Sequence, residues 1–262
     1  MRRNSSWVKV FNPQKDAIAR LVCFPFAGGS SQIFSNWSEH LPKFVELIAV
    51  QLPGREARIQ EKPLDDVHSV VEALLPEMQA YLDRPVLLYG HSMGALIAYE
   101  FARRLERMSI TPECLFVSAR VAPQRCPPRP PINKLPDTDF AAALRGLKGT
   151  PEDVLADEAL MALISPMLRA DFSINEEYVH RQEPRLSCSV LAFGGLADTE
   201  AARQGLDDWR DVTDGDFSLR MVPGGHFFIQ TAEALFLRLL SIEVYEHTRQ
   251  LRPIAQLSAA AG

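Results

Sequence analysis

The sequence has little of what marks a membrane, nucleic-acid-binding or signal-bearing protein. No run of about 18 apolar residues occurs, so no transmembrane helix is predicted. The net charge is -5, whereas nucleic-acid binding needs a basic surface. The arginines near the start are not followed by an apolar segment of signal-peptide length. We therefore expect a cytoplasmic protein with neither a membrane nor a nucleic acid as partner.

Cysteine is also scarce. The four cysteines are Cys23, Cys114, Cys126 and Cys188. Their spacing matches no metal-ligand pattern, and three of them fall in or beside strand-like runs, where a thiol is usually a small buried hydrophobe. We expect reduced thiols, no disulfide framework, no metal site and no cofactor.

What the sequence does contain is a succession of short apolar runs separated by helix-like segments. The runs are 20–24, 45–52, 85–89, 113–119, 188–193 and 217–222. The helix-like segments are 68–82, 93–107, 200–211 and 227–248. Strands that are apolar on both faces need helices on both sides, so the pattern predicts an α/β fold with a mostly parallel, doubly wound sheet. We expect one domain over residues 1–262, with binding groups at the carboxyl ends of its strands.

The alternation is interrupted once, between the fourth and fifth apolar runs. The interval opens with the proline-dense stretch "APQRCPPRPPINKLP", which is typical of an extended connector. Two helix-like stretches follow, the first capped by Asp137 or Thr138 and the second by Ser165, with Pro166 in its first turn. We predict that residues 123–186 form an inserted helical lid over the strand ends.

The stretch "GHSMG", residues 90–94, lies between an apolar run and a helix-like segment. A strand that turns sharply into a helix forces the residue at the turn into a strained conformation. The positions two residues before and after must then lack side chains. Gly90 and Gly94 meet this requirement, which predicts that Ser92 is exposed at the tip as a nucleophile.

A serine hydroxyl needs a base, and the base works best when a carboxylate holds its ring. His226, in "VPGGHFF", follows the last strand on a glycine-rich loop, whereas the other five histidines fall in helix-like or solvent-facing stretches or within the turn itself. Asp198, in "FGGLAD", follows its strand in the same way. The order serine, acid, histidine is that of the α/β-hydrolases. Asp171 is an alternative acid or a helix residue, and Asp207 and Asp208 are alternatives or surface charges.

The negative charge of a tetrahedral intermediate calls for two backbone N–H donors. Met93, directly after the nucleophile, is expected to supply one. The loop "PFAGGS" after the first run is expected to supply the other from Ala27. There, Gly28 and Gly29 would let the backbone approach a substrate closely, although a tight turn alone would also account for both glycines.

The chain resembles the type II thioesterases, the free-standing α/β-hydrolases that accompany modular polyketide and nonribosomal peptide synthetases. The resemblance runs nearly end to end through "CFPFAGGSSQIFSNW" (23–37), "VQLPGREAR" (50–58), "GHSMGALIAYEFAR" (90–103), "LRADFSINEEY" (168–178), "FGGLAD" (193–198) and "VPGGHFF" (222–228). It implies hydrolysis of acyl thioesters on phosphopantetheinyl carrier proteins, which edits stalled or misprimed modules. It also implies Ser92 as nucleophile, His226 as base and Asp198 as orienting acid, with Met93 and Ala27 forming the oxyanion hole.

The resemblance raises two further expectations. Family members often carry His or Tyr where this sequence has Phe26, so we expect a more apolar acyl pocket. Carrier proteins are commonly acidic, so a chain that is itself acidic needs a local basic or apolar patch to bind one. Arg55, Arg58, Arg125 and Arg129 are candidates for that patch, and each could equally be a solvated surface charge. Apart from this contact we expect a monomer.

Two other functions fit the same residues. A small-molecule carboxylesterase or lipase would use the same serine, acid and histidine, and only the flanking motifs speak against it. A non-catalytic binding protein that keeps the hydrolase fold is the second alternative, which an intact set of chemical groups disfavours.

Overall fold

The structure, a computed structural model, describes residues 5–126 and 129–251. Its strands are β1 (Val8–Lys9), β2 (Ala19–Phe24), β3 (Val45–Val50), β4 (Val86–His91), β5 (Cys114–Ser118), β6 (Ser189–Gly195) and β7 (Phe217–Val222). They form one sheet in the order β1-β3-β2-β4-β5-β6-β7. Every neighbouring pair is parallel except β1 with β3. The mostly parallel sheet predicted from the sequence is confirmed.

The burial of the strands explains their composition. All residues of β2, β3, β4 and β5 are buried, as is β6 after its first residue. The edge strand β7 is mainly half-buried. The six apolar runs correspond to β2 through β7. Strand β1 was not predicted, because two residues are too few to show a pattern.

Helices cover both faces of the sheet. The α-helices of the described residues are α1 (Val67–Met78), α2 (Met93–Glu106), α3 (Asp137–Leu147), α4 (Glu152–Ala156), α5 (Glu158–Glu176), α6 (Arg203–Asp207), α7 (Phe228–Thr231) and α8 (Glu233–Thr248). Helices α1, α2 and α6 share one apolar cluster with the sheet, and α8 shares the other. Neighbouring Leu87 and Leu88 of β4 belong to opposite clusters, as expected for a strand packed on both faces.

Two of the predicted helices match closely, and two are more broken than expected. Segment 68–82 is α1 followed by a 3₁₀ turn (Gln79–Tyr81), and segment 93–107 is α2. Segment 200–211 contains only the short α6 and a 3₁₀ helix (Asp208–Val212). Segment 227–248 is interrupted at Ala232, which separates α7 from α8.

The interval between β5 and β6 contains α3, α4 and α5. The cap predicted for α3 was wrong: Asp137 and Thr138 lie inside the helix, and Pro136 precedes it as the N-cap. Proline has its φ angle fixed near the helical value, and Asp137 in the first turn interacts favourably with the helix dipole. Helix α4 was not predicted, because five residues are too few to establish a helical period.

The start predicted for α5 was also wrong. The helix begins at Glu158, and Asp157 caps it by accepting a hydrogen bond from the N–H of Leu160 at 2.9 Å. Ser165 and Pro166 therefore lie within the helix. Proline removes one helical hydrogen bond, so it normally marks a helix start. Here the burial of the apolar face of α5 outweighs that loss.

The inserted helices have an apolar cluster of their own, which includes Phe140, Leu144, Leu168 and Phe172. Half-buried Ala27, from the loop after β2, packs against this cluster. The insertion therefore contacts the carboxyl edge of the sheet. Within the described residues, no helix combines the length and apolar character needed to cross a membrane.

Candidate active site

The turn from β4 into α2 holds Ser92 in a strained conformation, with φ 54° and ψ -116°. A Cβ atom added to Gly90 would lie 2.1 Å from the carbonyl oxygen of Gly94, and one added to Gly94 would lie 2.1 Å from that of Phe24. No side chain fits at either position. The two glycines are therefore required by the close packing of α2 against β4 and β2, and that packing sets Ser92 at the tip.

Ser92, His226 and Asp198 form one hydrogen-bonded chain. Nε2 of His226 is 3.0 Å from Oγ of Ser92, and Nδ1 is 3.0 Å from Oδ2 of Asp198. The residues come from the ends of three parallel strands, β4, β7 and β6. Asp198 is 7% exposed, and its other oxygen accepts hydrogen bonds from the N–H groups of Glu200 at 2.8 Å and Ala201 at 3.1 Å. The structure thus brings together the three residues predicted to act as a triad.

The environment of Asp198 sets the proton positions along this chain. Burial on its own would raise the pKa of Asp198, but the hydrogen bond and charge of His226 and two backbone N–H groups hold that pKa below its ordinary value. Asp198 is therefore ionised at neutral pH and acts as acceptor, so Nδ1 of His226 is the donor. In the neutral imidazole, Nε2 then has a free lone pair facing the hydroxyl of Ser92. This arrangement can remove a proton from Ser92.

A second histidine lies close by. The ring of His91 is 5.5 Å from that of His226, measured between centroids. Burial lowers the pKa of His91 well below its ordinary value, and the neighbouring His226 lowers it further. Its Nδ1 is 2.7 Å from Oγ of Ser118. His91 is therefore a neutral packing residue, as the sequence suggested, and His226 is the histidine that contacts Ser92.

The loop after β2 is a tight turn that presents Ala27. The N–H of Gly29 donates to the carbonyl of Phe26 at 2.8 Å, and Gly28 has a φ of +78°. These are the features of a type II turn, which favours glycine at its third position. Ala27 occupies the second position, and its N–H donates to no backbone carbonyl of the described residues. Met93 is the first residue of α2, where no helical carbonyl is available to its N–H.

A buried ion pair between Arg55 and Asp171 holds this turn. The two side chains make a bidentate contact of 2.9 Å and 2.7 Å, and Asp171 is fully buried. Oδ2 of Asp171 also accepts the N–H of Gly28 at 2.7 Å, while Arg55 donates to the carbonyl of Gly29 at 2.8 Å. Asp171, weighed as an alternative acid, thus contacts the turn and Arg55, whereas Asp198 is the carboxylate that contacts His226.

Two of the arginines expected to bind a carrier protein are not on the surface. Arg55 and Arg58 are 4% and 5% exposed. Arg58 donates to the carbonyl of Gln51 at 2.8 Å, pairs with Glu61 and stacks on the ring of Trp7 at 4.2 Å. The expectation was wrong because short sequence stretches do not show whether an arginine finds a buried partner. Both lie in "VQLPGREAR", a stretch that has no role in a generic triad. That unexplained stretch was the sequence signal that the two arginines could have a structural role.

A pocket of about 950 Å³, including its open mouth, lies against Ser92 and His226. Its apolar wall includes Phe26 and Phe227, whose ring centroids are 5.2 Å apart, and Leu168 of α5. Phe26 therefore lines this pocket, and the inserted helices form part of its wall.

Known proteins share both this sequence and this architecture. A family model described as a thioesterase domain matches residues 19–242. The gramicidin S biosynthesis protein GrsT of Aneurinibacillus migulanus is 42% identical over 226 residues, which cover 86% of this chain and 88% of that protein. Thioesterase PikA5 of Streptomyces venezuelae is 40% identical over 225 residues, 85% of this chain and 80% of that protein. The solved structure of the type II thioesterase BorB, from the borrelidin biosynthetic cluster, superposes with a TM-score of 0.82 at 37% identity and covers 94% of this chain and 98% of that one.

These likenesses confirm the α/β-hydrolase fold and the resemblance to type II thioesterases that the motifs indicated. The matched region contains the whole sheet except β1, together with Ser92, Asp198 and His226. The chain belongs to the thioesterase family and is a hydrolase of thioesters.

Proposed function

We propose that this thioesterase releases acyl groups from phosphopantetheinyl carrier proteins of a polyketide or nonribosomal peptide synthetase, using Ser92, His226 and Asp198 as a catalytic triad. The observation that carries the proposal is the hydrogen-bonded chain of these three residues beside a pocket with an apolar wall. In this role Ser92 is the nucleophile, His226 the base and Asp198 the orienting acid.

Acylation begins when His226 takes the hydroxyl proton and Oγ of Ser92 attacks the thioester carbonyl. The carbonyl oxygen becomes an oxyanion, which the N–H groups of Met93 and Ala27 would stabilise. The turn that contains Ala27 is held by Asp171 and Arg55 before substrate arrives. A donor fixed in advance costs little reorganisation during the reaction, which supports the assignment of the oxyanion hole.

Collapse of the tetrahedral intermediate breaks the C–S bond. A thiol has a pKa of about 8.5, so the pantetheine sulfur leaves as thiolate more readily than an alkoxide would. The leaving group therefore needs little proton donation from His226. Water then attacks the acyl-serine ester while His226 takes a proton from that water. When the second tetrahedral intermediate collapses, the bond between the acyl carbon and Oγ breaks, His226 returns the proton to Oγ of Ser92, and the free acid leaves. No metal or cofactor takes part in these steps.

The preference for a carrier-bound thioester comes from outside the triad. The names of the relatives support this part, since GrsT is a gramicidin S biosynthesis protein and BorB comes from the borrelidin cluster. We assign this chain the corresponding editing role, which clears stalled or misprimed modules. Arg125 and Arg129 remain candidates for the carrier-binding patch, and the cytoplasmic location and monomeric state remain predictions.

We further propose that residues 123–186 act as a lid. The apolar cluster of the inserted helices packs on Ala27, and Leu168 and Phe172 line the pocket beside Ser92. Movement of α5 would therefore open a route for the pantetheine arm and would also disturb the turn that holds Ala27.

The test is the rate of acyl release from a loaded carrier protein, compared with the same acyl group on free pantetheine and on an aryl oxyester. The proposal predicts the highest kcat/KM for the loaded carrier. Equal or faster cleavage of the oxyester would instead indicate a general carboxylesterase with the same triad. Acyl release that survives Ser92→Ala would remove the proposed mechanism altogether.

A further inference from the structure

Three arginines line the pocket beside Ser92, and they differ in their partners. Two of them are neutralised by carboxylates: Arg125 by Asp208 at 2.6 Å, and Arg129 by Glu176 and Glu200 at 3.0 Å each. Arg120 forms no ion pair with any carboxylate of the described residues. Of the three pocket arginines, Arg120 is thus the one that makes no direct contact with a carboxylate of the described residues.

Arg120 is held in a fixed position. Its Nη1 donates to Oδ1 of Asn175 at 2.6 Å, and its carbonyl accepts a hydrogen bond from Nε1 of Trp209 at 2.8 Å. Ala119, directly before it, has a φ of 51°, which is unusual for a residue with a side chain. Strained backbone of this kind is concentrated at functional sites. The side chain therefore does not move freely in the pocket.

The guanidinium has one edge in use and one edge without a partner. Nη1 contacts Asn175, whereas neither Nε, which is buried, nor Nη2 has an acceptor among the described residues. The Nε and Nη2 edge is one of the forks by which arginine binds a carboxylate or phosphate through two parallel hydrogen bonds. An oxyanion that displaced the atoms now packed against Nε could therefore accept hydrogen bonds from both N–H groups of this edge.

The energetics favour the same ligand. Burial lowers the pKa of Arg120 to about 10, so the side chain still carries its charge at neutral pH. A desolvated cation with an unused N–H group is costly unless an anion or hydrogen-bond acceptor compensates it. Nothing in the proposed triad chemistry uses this charge, because the oxyanion of the intermediate is assigned to Met93 and Ala27.

We infer that Arg120 is a binding residue for an oxyanion carried by the substrate, supplied either by a carboxylate on the acyl group or by the phosphate of the pantetheine arm. The inference rests on the proposed function, since it requires an acyl thioester in this pocket. It assigns the enzyme a preference for an anionic substrate over a neutral one of similar size, in a pocket that combines apolar rings with charged side chains.

Two matched substrate pairs distinguish the sources. The first pair is malonyl and butyryl N-acetylcysteamine, which differ in a carboxylate and lack the phosphate. The second is acetyl-phosphopantetheine and acetyl-pantetheine, which differ only in the phosphate. The measured quantity is the ratio of kcat/KM for the anionic member to that for the neutral member, in wild type and in Arg120→Gln. We expect the variant to lower this ratio about 10- to 100-fold for at least one pair.

The pair that responds identifies the source of the anion. Arg203→Gln, which removes an equally charged side chain that is 68% exposed and outside the pocket, should leave both ratios within about twofold of wild type. Ratios for Arg120→Gln that stay within about twofold for both pairs would overturn the inference, as would an equal change in Arg203→Gln.

A second variant covers the case in which Arg120→Gln fails to fold. Arg120→Lys keeps the charge but loses the planar fork, and it should lower the responding ratio about 3- to 10-fold. An unchanged ratio in a folded Arg120→Lys would overturn the inference. Ser92→Ala is assayed alongside on the neutral substrates. Hydrolysis of those substrates that survives in Ser92→Ala would show that the proposed function fails, whatever the anionic-to-neutral ratios of kcat/KM are.

Discussion

Asp198 and Asp171 are both buried carboxylates that accept backbone N–H groups near the same pocket, yet their partners differ. Asp198 contacts His226, whose other ring nitrogen faces the hydroxyl of Ser92. Asp171 contacts Arg55, whose charge is permanent, and holds the N–H of Gly28. A carboxylate beside the ring of a proposed general base can orient that ring and stabilise it when it takes the proton of Ser92. A carboxylate beside a permanent cation fixes the position of the loop around it.

The difference predicts separable effects. Loss of charge at Asp198 changes which nitrogen of His226 carries the proton, so it should act on the chemical step. Loss of charge at Asp171 leaves a buried arginine unpaired and loosens the turn that presents Ala27, so it should act on stability and more moderately on turnover.

Ser92→Ala should have the largest effect, and its residual activity is the lower limit against which the two aspartate variants are compared. In the proposed mechanism, removal of the nucleophile leaves only binding and the oxyanion hole, so kcat for an acyl thioester should fall on the order of 10⁴-fold or more. Steady-state release of the free thiol measures this, with thermal unfolding as the control for folding. Retention of most of the activity would contradict the assignment of Ser92.

The next effect is that of Asp198→Asn. The amide would favour the wrong tautomer of His226, and kcat should fall about 10³- to 10⁴-fold with little change in KM. The free energy of unfolding should change by only about 1 kcal/mol, because the amide oxygen can still accept backbone hydrogen bonds. Thiol release and urea unfolding measure the two quantities. A loss of activity under about tenfold would show that Asp198 is not the acid.

Asp171→Asn should have the opposite pattern, with a larger effect on the free energy of unfolding and a smaller effect on kcat than Asp198→Asn. The free energy of unfolding should fall by about 3–5 kcal/mol, because Arg55 is left buried without its counter-charge. Turnover should fall only about 10- to 100-fold, through displacement of the turn that presents Ala27. Both variants are assayed at a temperature where circular dichroism shows them folded. A loss of kcat in Asp171→Asn as large as that in Asp198→Asn would remove the distinction between the two acids.

The smallest expected effect concerns Phe26, which begins the turn that Asp171 holds. Phe26→His places a polar ring in the apolar wall, so kcat/KM for an octanoyl thioester relative to an acetyl thioester should fall about 3- to 10-fold. Competition between the two substrates measures the preference directly. An unchanged preference would mean that Phe26 does not contact the acyl chain.

That Ser92, His226 and Asp198 lie together could be predicted from the sequence, because each follows a recognisable strand or turn and parallel strands bring their carboxyl ends to one edge. The role of Asp171 could not be predicted in this way. It lies on α5, its partner Arg55 follows β3, and only the folded chain shows that they meet under the turn at Gly28.

The start of α5 was mispredicted for a related reason. Ser165 followed by Pro166 is a good local signal for a helix start, and it was overridden by the capping of Asp157 and by packing of the apolar face. Likewise, Arg58 carries the same charge as a surface arginine, and its stacking on Trp7 depends on a residue about fifty positions earlier in the chain. Tertiary partners decided these cases, whereas local patterns were enough to predict that Ser92, His226 and Asp198 meet.

The measurement that tests the central claim most directly is the site of modification by a fluorophosphonate, a reagent that reacts with activated serines. The account predicts one adduct by peptide mass spectrometry, on the peptide that contains Ser92, with no adduct in His226→Ala. Labelling of a different residue, or full thioesterase activity in a preparation that remains unlabelled, would contradict the claim that His226 activates Ser92.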